Sequence, residues 1–533
     1  MKLKKLFVTF AIIAVFAVLS ISISANQIFN SDKEITLGII DVDSKPIVAD
    51  EFSDLTQAEI DKIVEDANVN DELVVPQDTE EVLESSSVTR NAFEGADTIT
   101  TGNAQCEYRT VKTYSDTKSD VVITKIKNKK EATNLTITYQ ESGKNIVGID
   151  DRACEGCTAL TTVNLAESHV TSIGQSAFHG CTSLESVTFP SDSSYLTYIG
   201  GYAFLTTPWL TYQRKHSDQA LVVVNGILID GITAKGNVTI ANSGINKIAP
   251  FAFAYNSKME TLTITNDTPV AELSYRAFTG CKALKKVNLD SINIGSHSFY
   301  DCKALEEVTL AEVENIGTAA FNKCSGITSF NFGDKIKSID NNAFAYCKGL
   351  ESVILPDSTL SVKVGAFLNC TGLKNLVIAG KEGIDLDLSQ GSFMGCTKLA
   401  SVALPATTHS IDKGVFLSCP ISKATLPAQF ISAITTRTHL KEVELLGTTI
   451  SANALKGCAE LEKITLSATI TNIGASAFEG CNLLSDVVFK GTADEWSAVT
   501  KNTNYNKKGT ENSSPVYFGN ILSCSDTTDK IAF

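Results

Sequence analysis

Residues 172–190 read SIGQSAFHGCTSLESVTFP, and the phrase returns along the chain. NIGSHSFYDCKALEEVTL begins at Asn293, NIGTAAFNKCSGITSFNF at Asn315, SIDNNAFAYCKGLESVILP at Ser338 and NIGASAFEGCNLLSDVVF at Asn472. Their shared grammar is I-G/D-x-x-A/S-F-x-x-C-x-x-L-x-x-V-x-L. The cysteine recurs at positions 157, 181, 281, 302, 324, 347, 370, 396, 419, 458 and 481, with neighbouring spacings that cluster at 21 to 26 residues outside the gaps 181–281 and 419–458. Self-similarity at that period marks a solenoid, in which each copy is one coil that cannot bury its apolar face alone. The alternating V-x-L pair predicts a short strand with one buried face. Degenerate copies place Thr207, Asn256 and Arg437 in the cysteine slot, which brings the count to about 14 coils between Ile146 and Phe489.

That grammar settles a second stretch, RACEGCTAL at Arg152–Leu160, where Cys154 and Cys157 stand at the C-x-x-C spacing of redox and zinc sites. Ala153-Cys154 falls in the slot of Ala177-Phe178, and Cys157 in the slot of Cys181. The pair is a Phe-to-Cys difference inside a repeat. The ladder cysteines are expected to be buried thiols, cysteine being among the most buried residue types. Of the 14 cysteines, Cys106 and Cys524 lie outside the ladder and are the pair to consider for a disulfide.

The flanks read differently. Lys2, Lys4 and Lys5 precede an apolar run from Leu6 to Leu19 and small residues near Ala25, the layout of a secretory signal peptide over residues 1–25. It is short for a membrane span, so contact with a membrane is expected only if it stays uncleaved. Residues 26–95 form an acidic leader. Between Ser31 and Ser85 stand 17 Asp and Glu against three Lys, which accounts for −14 of the chain's −15. The composition favours a flexible leader. One short helix is expected in it, where Thr56 and Glu59 make a capping box ahead of Ile60, Ile63 and Val64. DVDSKP at Asp41 starts like a calcium loop and fails at Lys45 and Pro46. Gln105 to about Thr138 alternates at period two and predicts the strands of a β-rich cap over residues 96–145, ahead of the repeats of 146–490. Residues 491–533, with Trp496 as a core anchor, are expected to cap the other end.

The units resemble the BspA-like leucine-rich repeat family of secreted and cell-surface proteins. SLESVTFPSDSSYLTYIGGYAF and GLESVILPDSTL…VGAF carry its L-x-x-V/I-x-L-P…I-G-x-x-A-F phrase, from about Gly148 to Phe489. LVVVNGILIDG at Leu221 resembles a hairpin that interrupts the coil in this family, within an insertion at about 213–247. KGTADEWSAV followed by VYFGNILSCSD resembles its closing segment. The resemblance implies an α/β solenoid, a right-handed leucine-rich repeat coil with short parallel strands. It further implies adhesion or binding at a cell surface, and it brings no catalytic residues.

Composition narrows the function. No basic stripe exists for nucleic acid. Six histidines are scattered, and Asp, Glu and His recur at no shared repeat slot, so neither a catalytic set nor a metal or cofactor site is expected. The expected partner is an extracellular protein, glycoprotein or cell surface, not a small-molecule substrate. The outward strand positions, such as Asn164, Thr188, Asn288 and Thr309, are small and polar, without the Trp, Tyr and Arg typical of hot spots. The insertion concentrates those types. Trp209, Tyr212, Arg214, Lys215 and His216 are the candidate ligand-binding residues. The alternatives are a structural surface protein without a specific ligand and, more remotely, an enzyme.

Overall fold

The computed structural model describes residues 98–115, 118–140, 143–241, 244–265, 270, 272–290, 293–502 and 522–525. The signal peptide, the acidic leader with its short helix and the Asp41 stretch lie outside these residues. The described residues fall in two compact units, 98–327 and 328–525. Each is a parallel β-solenoid, and together they hold about 16 turns with little helix.

The N-terminal unit opens on an antiparallel arrangement of Thr98–Thr101, Ala104–Ser115 and Lys118–Ile126. The third of these strands then pairs in parallel with Lys144–Ile149, which pairs with Ser172–Ile173, which pairs with Tyr198–Ile199. A second ladder joins Asn134–Thr136, Thr162–Asn164 and Ser186–Thr188. Residues 118–136 therefore already form a coil, although they lack the repeat phrase. The expected insertion behaves likewise in part. Ile227–Asp230 pairs in parallel with Lys247–Ile248, and Gly236–Ile240 with Met259–Ile264. These stretches raise the turn count from the 14 expected.

In the C-terminal unit one ladder runs through Ser352–Leu355, Asn375–Ile378, Ser401–Ala403, Lys423–Pro427, Glu442–Leu446, Lys463–Leu466, Asp486–Phe489 and Leu522–Cys524. Its register is strict. Val353, Leu376, Val402, Ala424, Val443, Ile464, Val487 and Leu522 form one buried row, as the V-x-L alternation requires.

Turns, not helices, make the return side. Coils that carry the phrase reach it with two residues in the left-handed region, one before the alanine and one before the cysteine. The first slot holds Ser176, Asn342, Gly365 and Asn453 at φ of 54 to 61°. Such residues tolerate that conformation.

The core is two stacked ladders. Phenylalanines of successive coils lie face to face: Phe253 on Phe278 (4.7 Å), Phe278 on Phe299 (5.2 Å) and Phe299 on Phe321 (5.1 Å) in the first unit. In the second, Phe344 lies on Phe367 and Phe367 on Phe393, each at 5.0 Å and 3°. Beside them, six ladder thiols donate to the carbonyl of the preceding coil's phenylalanine, while Cys181 and Cys481 use Cys154 O and Leu455 O in the same slot. Examples are Cys302 to Phe278 O (3.1 Å), Cys370 to Phe344 O (3.1 Å) and Cys419 to Phe393 O (3.1 Å). All 14 cysteines are buried and unbridged, Cys106 and Cys524 included. Cys154 fills the phenylalanine slot. Its amide bonds Ala177 O (2.8 Å), as the Phe178 amide bonds Ala203 O (2.7 Å). Burial pushes the Cys370 and Cys396 thiols up, and Cys481 up to about 12, which leaves them inert rather than nucleophilic.

Candidate binding surface

The first strong departure from the coil starts at Thr207. It occupies the cysteine slot but serves another purpose. Its hydroxyl donates to Phe204 O (2.8 Å) and accepts from the Leu210 amide (3.1 Å). It thereby caps helix α1, Pro208–His216. Pro208 at the first helical position supplies a preset φ and withholds no needed donor. Arg214, Lys215 and His216 occupy the last turn, where cations complement the helix dipole. Beyond α1 the chain returns through Val222–Val224, antiparallel to Ile227–Asp230. The turn between them is Asn225-Gly226, both at positive φ (48° and 76°), the pairing a two-residue hairpin demands.

The five candidate residues divide by role. Trp209 is only 6% exposed and packs on Phe204 (4.8 Å) and Phe189 (5.7 Å). Arg214 makes a bidentate pair with Asp230, Nε to Oδ1 at 2.8 Å and Nη2 to Oδ2 at 2.6 Å. Asp230 is buried. Desolvation pushes its carboxyl up and the Arg214 fork pulls it back down. These two residues pin the helix to the coil behind it. Tyr212, Lys215 and His216 face solvent. Tyr212 is 58% exposed, and its ring stacks on His216 at 4.0 Å one helical turn away. His216 Nδ1 donates to Tyr212 O (2.8 Å), which fixes its ring orientation.

Under α1 lies a small pocket lined by residues including Tyr202, Leu205, Leu210, Asp230 and Phe251. It has room for about 10 Å³, on the order of one water molecule, so it is no small-molecule site. Among the described residues no group of three or more His, Cys, Asp or Glu is placed to hold a metal ion. No described helix is long and apolar enough to cross a membrane.

The outward strand face carries its own chemistry. In the C-terminal unit Lys423, Glu442, Lys463 and Asp486 sit side by side in register on four neighbouring strands. Lys423 pairs with Glu442 (3.0 Å) and Lys463 with Asp486 (2.9 Å). Their alternating signs cancel, which leaves no field to steer a charged partner. Ile354, 66% exposed, lies in register beside the exposed Val377. The repeat grammar places all these residues outward, but their neighbours across coils become visible only once the register is known.

An array of parallel coils with stacked phenylalanines, a thiol ladder and short strands defines a leucine-rich repeat solenoid. The family model described as BspA type leucine rich repeat region (6 copies) matches residues 120–218, 233–351, 314–438, 381–485 and 448–501. The chain belongs to that family. Among solved structures it is similar to a leucine rich cell surface protein from Faecalibacterium prausnitzii. The two share 22% identity over 77% of this chain and 100% of that one, with a TM-score of 0.29. A leucine-rich repeat protein from Bacteroides ovatus is 20% identical over 74% and 96%, with a TM-score of 0.29. The pneumococcal vaccine antigen PcpA is 13% identical over 77% and 98%, with a TM-score of 0.30. At these identities the likeness concerns the fold alone. No curated protein matches the sequence significantly.

Proposed function

We propose that the protein is exported, acts at the cell surface or after release, and binds another extracellular macromolecule without catalysing a reaction. The basic and apolar layout of residues 1–25 supports export. The observation that carries the binding reading is the way α1 is held. Trp209 in the core and Arg214 on buried Asp230 fix the backbone, while Tyr212, Lys215 and His216 project from it. A contact surface whose side chains are ordered before binding loses less entropy on association. Tyr212 is of a type enriched at interface hot spots, and it is exposed. The self-neutralised row from Lys423 to Asp486 favours a plainly solvated strand face in that region, which leaves the α1 excursion as the contact surface.

The test uses the mature chain from Asn26 in a binding screen against matrix proteins, mucins and whole cells. A triple variant, Tyr212→Ala, Lys215→Glu and His216→Ala, leaves Trp209 and Arg214 in place and so preserves the fold. Saturable binding by the parent, reduced at least tenfold in the variant, is the expected result. Binding unchanged in the variant would move the site off α1. Absence of saturable binding to the whole panel would sink the adhesin reading in favour of a structural surface protein.

A further inference from the structure

A second surface feature stands on the return side of the N-terminal unit, away from the strand face. The left-handed slot before the alanine, filled by Gly, Asn or Ser in most coils, holds Tyr202, Phe251, Arg276 and His297 at φ of 55 to 61°. Bulky side chains in that region are outliers, and such strain clusters at functional sites. The slot before the cysteine holds Tyr255 at φ 61°.

Together with Tyr275 and Tyr300 these residues make one cluster. The Arg276 guanidinium lies over the Tyr275 ring (5.3 Å) and the Tyr300 ring (5.6 Å), and its Nε donates to Tyr275 Oη (2.9 Å). Lys323 Nζ also lies 5.6 Å from the Tyr300 ring centroid. No carboxylate among the described residues pairs with Arg276; Asp301 nearby is taken by Lys303 (3.0 Å). Tyr255 is 44% exposed. His297, 7% exposed, packs edge-on against Tyr275 (5.4 Å), and its Nε2 is buried with no hydrogen-bond partner among the described residues. A guanidinium held by rings with its outer fork unspent is an anion receptor.

The geometry points to a binding site for a carboxylate-bearing sugar, the carboxylate on Arg276 and a sugar face on the Tyr255 ring. Two facts favour a sugar over an acidic peptide. The backbone amides here are spent inside the solenoid: Phe251 N on Tyr275 O, Arg276 N on Ser296 O and His297 N on Thr318 O. These three amides offer an incoming peptide no main-chain donor. The orphaned His297 nitrogen also calls for a hydroxyl. Ser296 has one hydroxyl proton to place between Thr318 O (3.1 Å) and His297 Nδ1 (2.7 Å). Whichever it chooses, Nε2 is left as a bare acceptor or an unused donor. A hydroxyl can serve either state, and a carboxylate only one.

The cluster shares Tyr202 and Phe251 with the pocket under α1 but uses none of Tyr212, Lys215 or His216, and only its biological setting rests on the exported reading. The experiment titrates the purified mature chain with sialyllactose and with a glucuronate-terminated oligosaccharide, using lactose as the neutral twin and a glutamate-rich peptide as competitor. Binding is followed by calorimetry and saturation-transfer NMR. Saturable binding of at least one acidic sugar is expected, at least tenfold weaker for lactose and for Arg276→Gln. Arg276→Lys should lie between, having charge without the fork. Tyr255→Ala, an exposed change that leaves the core intact, should lose several-fold even if Arg276→Gln folds poorly. The α1 triple variant should bind as the parent does. Preference for the first sugar identifies a terminal sialic acid, and preference for the second an acidic polysaccharide. Equal binding of lactose, tighter binding of the peptide, or no binding of either acidic sugar overturns the assignment.

Discussion

Phe367→Ala probes the physical basis of the solenoid. Phe367 is fully buried and sandwiched between Phe344 and Phe393, each at 5.0 Å and 3°. Deleting a buried phenylalanine costs about 3–5 kcal/mol through lost burial and the cavity left behind. Two ring pairs at about 0.5–1.5 kcal/mol each place this site in the upper part of that range. The loss is local, because a coil touches only its neighbours. Hydrogen exchange is therefore the assay. The reporters are the Phe344 amide on Ala366 O (2.7 Å) and the Phe367 amide on Ser392 O (2.7 Å). A loss of about 4 kcal/mol speeds their exchange on the order of 10³-fold, at 1.4 kcal/mol per decade. The Leu455 amide on Ala477 O, several coils away, should keep its protection. Phe367→Leu, which keeps most of the burial, should cost about 1–2 kcal/mol. Acceleration below tenfold in Phe367→Ala, or equal acceleration at Leu455, would refute the stacked-coil account.

The native protein should be unreactive towards a thiol reagent, and denaturant should release all 14 cysteines; fast labelling before unfolding would contradict the buried ladder. His297 is pushed down to about 3 by burial and by Arg276 beside it. Its neutral form therefore favours folding above 6.5, and that contribution drains away as the pH falls from 6.5 towards 3. His297→Gln should shift the acid unfolding midpoint of the N-terminal unit to lower pH, and an unmoved midpoint would remove His297 from the cause. Asp387 holds the exposed His409 above 6.5 through a 3.0 Å contact, so that pair's stabilisation is present below 6.5 and lost as the pH rises through the raised histidine value. The NMR titration of His409 should drop towards 6.5 in Asp387→Asn, and no change would show that the contact does not persist in solution.

The repeated phrase made most of the architecture legible, because burial of Phe, Cys, Leu and Val in each coil is a local requirement written at fixed offsets. Coils that meet the requirement by other means were not legible. At Gly231 the aromatic slot is empty, and a Cβ there would lie 2.2 Å from the Phe253 ring of the next coil, which fills the space instead. Residues 222–240 therefore read as an insertion, although they include strands of the ladder. Near the start, Val121, Ile123 and Leu135 bury a coil without any phrase. Residue types pointed to α1, but not to the division between Trp209 and Arg214, which hold it, and Tyr212, Lys215 and His216, which face out. That division depends on Asp230, 16 residues beyond Arg214. The Arg276 cluster was invisible for the same reason: its members lie on different coils.

Asn256 gives the irregular stretch a further meaning. Fully buried, it spends both amide protons on Gly231 O and Ala234 O (2.9 Å each) and accepts from the Lys258 and Met259 amides (2.8 Å each). Elsewhere one thiol meets one carbonyl per coil, and a chain misaligned by a whole coil would swap like for like at little cost. Asn256 can be satisfied only against the shortened coil at Gly231, and Thr207 only where α1 begins. These exceptions act as an address in a chain of near-identical copies, penalising mismatched stacking during folding. Replacing Asn256 with the consensus cysteine would make the repeat more uniform and the alignment of its coils less certain.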